Sequence, residues 1–171
     1  MLHVYCGNGK GKTTAAMGLI VRALGYGMKV LLVQFLKDDS GNEIKTLSLI
    51  PGVKILHRKG KEKFTYCMTD EEKKERRADY VRLLAEAEKE CTEDGFDMLV
   101  FDEALRAVNT GMIDEAELLA FLRENSKKFE IVVTGTHPSE AMFELADYVS
   151  EIVKHKHPFD EGTPAREGIE Y

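Results

Sequence analysis

Residues 1–25, MLHVYCGNGKGKTTAAMGLIVRALG, decide the fold. An apolar, β-branched opening (Leu2–Tyr5) runs into Gly7-Asn8-Gly9-Lys10-Gly11-Lys12-Thr13-Thr14, and a strong helix-forming stretch (Ala15–Leu24) follows at once. A strand that turns through glycines into a helix N-terminus makes a phosphate cradle. The glycines let backbone N–H groups point inward without a Cβ clash, and the helix dipole favours an anion there. In such a loop Lys12 reaches the outer phosphates and the Thr13 hydroxyl is placed to ligate Mg²⁺. The spacing departs from G-x-x-x-x-G-K-[ST] in one place: the first glycine falls due at Cys6 and arrives one residue late, at Gly7. The competing reading is a merely flexible basic turn. Strand, glycines, Lys-Thr and helix in the right order favour nucleoside triphosphate binding.

Working outward, Gly25 and Gly27 are expected to end the first helix. Lys29–Leu36 (KVLLVQFL) is a nearly continuous apolar run, the pattern of a strand buried on both faces of a parallel sheet. A polar loop (37–42) follows, then a short helix over Glu43–Leu49 stopped by Pro51-Gly52, and a third strand at Val53–Leu56. Thr69-Asp70-Glu71-Glu72 reads as a capping box opening a long helix to about Glu93. Its core stripe is expected at Tyr80, Val81, Leu84, Ala87 and Cys91, with Glu71–Arg77 as solvated face. Asp97–Glu103 (DMLVFDE) is a strand ending in two acids. Helices are expected at Glu103–Asn109 and Asp114–Asn125, a fifth strand at Glu130–Thr134, a helix at Pro138–Ala146 and a sixth strand at Tyr148–Val153. His155–Tyr171 is loop-like, with Pro158, Gly162, Pro164 and Gly168. Strands alternating with helices predict one α/β domain with a mostly parallel sheet flanked by helices.

The acids after Leu99-Val100-Phe101 supply what a triphosphate site needs, carboxylates at the C-terminal edge of a strand near the loop. Asp102 resembles the acid that holds Mg²⁺ through water or the Thr hydroxyl. Glu103 then ligates metal or polarises a nucleophile. The plainer alternative is an Asp-Glu pair capping the next helix.

Composition narrows the class. The chain has 171 residues, 43% hydrophobic and 32% charged, which fits one ordinary globular domain with a real core. A net charge of −6 argues against general nucleic-acid affinity. No apolar run approaches the roughly 20 residues of a membrane span. Three widely spaced cysteines (Cys6, Cys67, Cys91) without a CxxC fit a cytoplasmic protein with free thiols, and the opening strand leaves no room for a signal peptide.

Over its whole length the chain resembles the P-loop-type ATP:corrinoid adenosyltransferases. GNGKGKTTAAMG (7–18) is similar to their loop, which also carries a non-Gly residue at the displaced position. VLLVQFLK (30–37) is similar to VxxVQFxKG, with Asp38 where Gly is usual, and LVFDE (99–103) matches their acidic strand. ELADYVSEIVKHKHPFDEGTPAREGIEY (144–171) resembles their ending and is the most discriminating stretch. Two departures stand out. Lys63-Phe64-Thr65-Tyr66 has Tyr where Trp is usual, and Thr134-Gly135-Thr136 has Thr where Arg is usual; His137 beside it cannot make a guanidinium's forked contact.

The resemblance implies a RecA-like P-loop architecture and transfer of adenosyl from ATP to the cobalt of a reduced corrinoid, with tripolyphosphate as the leaving group. It implies that Gly7, Asn8, Gly9, Lys10, Gly11, Lys12, Thr13 and Thr14 hold ATP, with Asn8 near the sugar because the family binds ATP reversed. Thr13, Asp102 and Glu103 would hold Mg²⁺. Lys12, Thr13 and Glu103 would serve catalysis. Phe64 and Tyr66, with Met68, would form an apolar wall that keeps the lower axial ligand off cobalt, or else anchor their loop to the core. Lys10 either adds charge to the site or is a solvated lysine, and Arg58-Lys59-Lys61-Lys63 either meets the corrin or is a solvated loop. An electron donor protein or reduced flavin, a homodimer and a tail (155–171) lying near the site complete the implied picture. The alternatives are a P-loop ATPase or small-molecule phosphotransferase, and a non-catalytic ATP- or corrinoid-binding relative.

Overall fold

The computed structural model describes residues 1–37, 41–60, 63, 65–93 and 95–170. Six strands form one sheet in the order β3-β2-β4-β5-β1-β6, every adjacent pair parallel. They are β1 (Leu2–Cys6), β2 (Val30–Gln34), β3 (Val53–His57), β4 (Met98–Asp102), β5 (Glu130–Thr134) and β6 (Tyr148–Glu151). The helices are α1 (Lys12–Tyr26), α2 (Asn42–Leu47), α3 (Asp70–Glu93), α4 (Ala104–Asn109), α5 (Glu115–Asn125) and α6 (Glu140–Leu145).

Strand alternation sorts the core into two layers. Leu2, Val4, Leu31, Val33, Leu99, Phe101, Ile131 and Val133 face one side, where Tyr80, Leu83 and Ala87 of α3 and Leu118 and Leu122 of α5 cover them. Val30, Leu32, Met98, Val100 and Val132 face the other, covered by Ala16, Met17, Ile20 and Ala23 of α1 and by Leu47 of α2. With both faces covered, β2 and β4 are buried at every position, as their unbroken apolar sequence requires. The edge strand β6 is exposed throughout.

Several expectations shift. Gly25 lies inside α1, and Gly27 alone caps it, at φ 97°, where only glycine is free of strain. The reciprocal capping box of α3 is present: Glu72 N–H donates to Thr69 Oγ1 at 3.2 Å, and Thr69 N–H donates to Glu72 Oε2 at 2.9 Å. The buried stripe of α3, however, is Arg76, Tyr80, Leu83, Ala87 and Cys91. Val81 faces solvent and Leu84 is only half-buried, because one residue turns the helix by about 100° and Val81 cannot share Tyr80's face. Arg76 therefore leaves the solvated face assigned to it. Glu103 lies outside β4, and α6 starts at Glu140 with Ser139 as N-cap instead of at Pro138.

Candidate active site

The loop of residues 7–11 leaves β1 and feeds α1. Gly7 has φ 102° and Gly11 φ 120°. A Cβ on Gly7 would lie 2.5 Å from the Ile152 carbonyl oxygen, and one on Gly9 would lie 2.8 Å from it. Gly9 N–H donates to that same carbonyl at 2.7 Å. Two glycines of the cradle are thus fixed by the end of β6 packing under the loop, and the Gly9 amide already has a protein partner. Asn8 Oδ1 accepts from Lys154 N–H at 2.8 Å, and Lys10 Nζ pairs with Glu170 at 3.2 Å. Lys10, exposed to solvent, is thus also a clasp between loop and C-terminal segment. Lys12 Nζ folds back to donate to Gly9 O at 2.7 Å, and Thr14 is exposed on the first turn of α1.

Strand order decides what faces the loop. β5 is inserted between β1 and β4, so Thr134 at its end stands beside Asp102, while Thr13 at the start of α1 meets the same carboxylate directly. Asp102 is fully buried and accepts four bonds. Oδ1 takes Thr13 Oγ1 at 2.9 Å and Thr134 Oγ1 at 2.8 Å; Oδ2 takes Gln34 Nε2 at 3.1 Å and Lys37 Nζ at 2.8 Å. A buried carboxylate is tolerable only with such compensation. Thr13 and Asp102 thus come together as expected. Lys37, Gln34 and Thr134 were not singled out from sequence. For Lys37 the signal was its place directly after the buried run of β2, at the strand's C-terminal edge.

Lys37 Nζ also donates to Glu43 Oε1 at 3.1 Å and to Thr13 Oγ1 at 3.4 Å. Burial alone would push its ammonium down. The Asp102 charge and hydrogen bond, then those of Glu43, more than offset this and hold it above the ordinary lysine value. The chain is aimed there by an unusual turn. Leu36 has φ 53°, a left-handed conformation that costs a non-glycine residue on the order of 1–3 kcal/mol. Leu36 N–H donates to the hydroxyl of the fully buried Tyr80 at 2.7 Å. Replacing Tyr80 with Phe removes that acceptor while keeping the ring, and should cost about 1–3 kcal/mol in denaturant unfolding. A loss below about 0.5 kcal/mol would show that the turn stands without it.

Glu103 N-caps α4 in a left-handed conformation, φ 61°, with its N–H donated to Thr134 Oγ1 at 2.9 Å. Its carboxylate accepts no hydrogen bond among the described residues. Burial, then the neighbouring Asp102 charge, pushes its pKa up, against the lowering effect of Lys37, Arg106 and Lys12. No group of three or more His, Cys, Asp or Glu side chains placed to hold a metal occurs among the described residues. The hard oxygens of Thr13 and Asp102, already clustered about a cation, nevertheless suit a metal that brings phosphates and water as its other ligands.

At the other end of the loop lies a cleft of about 320 Å³, lined by Cys6, Gly7, Asn8, His137, Pro138, Phe143 and Glu151. His137 is itself left-handed (φ 48°), and Asn109 Nδ2 holds the neighbouring Thr136 O at 2.6 Å. A Cβ on Gly135 would meet Leu105 Cβ at 2.7 Å, so this loop is pinned to α4.

Phe64 lies outside the described residues. Tyr66 sits on a short 3-10 turn (Thr65–Cys67) at 80% exposure, so it does not anchor this loop to the core; Met68, 7% exposed, does. Of the basic run, Arg58 pairs with Asp79 at 2.7 Å and Lys63 with Glu72, tying the segment to α3. Cys6 and Cys91 are buried and free, and burial raises both thiols, that of Cys91 to about 11. No helix among the described residues is long and apolar enough to cross a membrane.

The corrinoid adenosyltransferase of Pseudomonas aeruginosa is 32% identical over 178 residues, covering 100% of this chain and 83% of that protein. That of Escherichia coli K12 is 34% identical over 173 residues, covering 100% and 85%. Among solved structures, the EssC ATPase 2 and 3 region of Geobacillus thermodenitrificans superposes with a TM-score of 0.52 at 14% identity, over 99% of this chain and 36% of that one, a likeness of fold. The family described as ATP:corrinoid adenosyltransferase BtuR/CobO/CobP matches residues 1–171, and the chain belongs to it.

Proposed function

We propose that the chain transfers the adenosyl group of ATP to the cobalt of a reduced corrinoid and releases tripolyphosphate. The observation that carries this reading is the division of the site by the loop. A cleft lies at its Gly7–Asn8 end, and a cationic and hydroxyl-bearing cluster (Lys12, Thr13, Lys37) lies at its helix end. ATP laid across the loop puts the nucleoside at the cleft and the triphosphate at the cluster. The 5′-carbon then sits between a held leaving group and an open side from which Co(I) attacks. As the Co–C bond forms, the C5′–O bond breaks and its electron pair leaves on the triphosphate.

In this reading the chain's own groups act by preorganised electrostatics, usually the largest catalytic contribution. Loop amides and the Lys12 ammonium stabilise charge gathering on the departing polyphosphate, and the first turn of α1 adds its dipole. Thr13 and Asp102, with Glu103 beside them, would hold Mg²⁺, which supplies charge neutralisation of the phosphates. A cleft of about 320 Å³ is at the lower end for a ligand site, so it suits a nucleoside and is too small to take in a corrin ring as well. The family resemblance would give Tyr66, exposed on its turn beyond β3, a place in the apolar wall that meets the corrin. The family resemblance adds an external electron donor (protein or reduced flavin) and a homodimer. The free thiols suit a cytoplasmic setting.

Chemically reduced cobalamin incubated with ATP, Mg²⁺ and the protein should yield the light-sensitive absorption spectrum of the adenosylated corrinoid. Absence of that spectrum while ATP is bound would overturn the reading.

A further inference from the structure

We propose that Lys37 is the resident counter-cation of the metal position, holding the place between Thr13 and Asp102 until Mg²⁺ arrives with the triphosphate and displaces it. The inference rests on the reading that Thr13 and Asp102 hold that metal.

Four observations converge on it. Lys37 Nζ contacts both groups, Asp102 Oδ2 at 2.8 Å and Thr13 Oγ1 at 3.4 Å, and takes Glu43 Oε1 at 3.1 Å as a third oxygen. Asp102 is wholly buried, so it cannot stand without a positive partner, and Lys37 is the cation bonded to it. Its two oxygens already accept four donors, which leaves no free lone pair for a metal while Lys37 stays. Finally, the ammonium is delivered by the left-handed turn at Leu36, secured by Tyr80 from the core, so the placement is built into the fold.

Two cations sharing the same oxygens repel, and Mg²⁺ sheds water reluctantly. Metal alone therefore gains too little to evict Lys37. A triphosphate changes the balance, because its oxygens offer the ammonium a new anionic partner within reach of a flexible four-carbon stem. Asp102 is then neutralised by the incoming metal, and Lys37 adds a further positive charge beside the leaving group. The consequence is ordered loading, in which divalent metal enters with the nucleotide and not before it.

Mn²⁺ titration followed by electron paramagnetic resonance tests this. Wild-type protein should bind Mn²⁺ weakly alone and tightly once ATP is added. Lys37→Met should bind Mn²⁺ without nucleotide at least roughly tenfold tighter than wild type, whereas Lys37→Arg, which keeps the charge, should not. Should Lys37→Met fail to fold, Lys37→Gln keeps one donor for Asp102, loses the charge and makes the same comparison. Equal nucleotide-free affinity in wild type and the neutral variants would overturn the inference alone. Mn²⁺ binding with ATP that is unchanged by Thr13→Val would overturn the metal position, and the inference with it.

Discussion

Lys12→Ala should lower the turnover of adenosyl transfer by about 10²–10³-fold, the size of effect seen when one preorganised charge-stabilising donor is removed. Lys12 donates to the Gly9 carbonyl of its own loop, a contact it would exchange for phosphate oxygens in the proposed complex. The side chain is only half-buried, and α1 is held by Ala16, Met17, Ile20 and Ala23 beneath the sheet, so the variant should fold as the parent does. Initial rates measured by cobalamin absorbance, with unfolding followed in parallel, check both halves. A rate within threefold of wild type in a folded protein would mean that the leaving triphosphate is stabilised elsewhere.

The second large effect is on stability. Asp102→Ala leaves Lys37, Thr13, Thr134 and Gln34 without their common acceptor, and leaves a largely buried ammonium with Glu43 as its remaining anionic partner. Breaking a buried ion pair from one side costs about 3–5 kcal/mol. In a domain of this size that is roughly 6–20 °C in melting temperature. The same variant with Lys37→Met added should lose less than the two single changes sum to, because the residues form one network. A melting temperature within about 2 °C of wild type for Asp102→Ala would show that the cluster is not the buried network described here.

The sequence disclosed the parts of this site that are local in the chain. Strand, glycines, Lys-Thr and helix follow one another within twenty-five residues, and their order alone specifies a cradle. Leu99-Val100-Phe101-Asp102 likewise reads as a buried strand handing an acid to its end. What escaped were relations between distant segments. That β5 separates β1 from β4 is a matter of strand order, and Thr134 reaches Asp102 only because β5 lies against β4. Lys37 read as one residue of a polar loop, since nothing local announces that Leu36 turns left-handed and sends the ammonium back over Asp102. The pairing of Lys10 gave no local sign because its partner, Glu170, lies at the other end of the chain. The α3 stripe failed for a different reason. Apolar residues at 80, 81, 83 and 84 offer the helix two faces, and packing on β2 and β3 chose Leu83 over Val81.

The C-terminal ending, the most discriminating stretch of the family resemblance, packs against the loop. Ile152 props Gly7 and Gly9, Lys154 holds Asn8, and Glu170 holds Lys10, so residues after β6 set the shape of the loop from outside. A generic phosphate loop has no need of this support. In the proposed reaction it would hold the Asn8 end of the loop in place beside the sugar.

The central claim is that the loop grips a whole triphosphate as it departs. ³¹P nuclear magnetic resonance of the products formed from ATP and chemically reduced cobalamin tests it most directly. The account predicts intact tripolyphosphate, one equivalent for each cobalt–carbon bond formed. ADP and inorganic phosphate appearing in step with the reaction would contradict it.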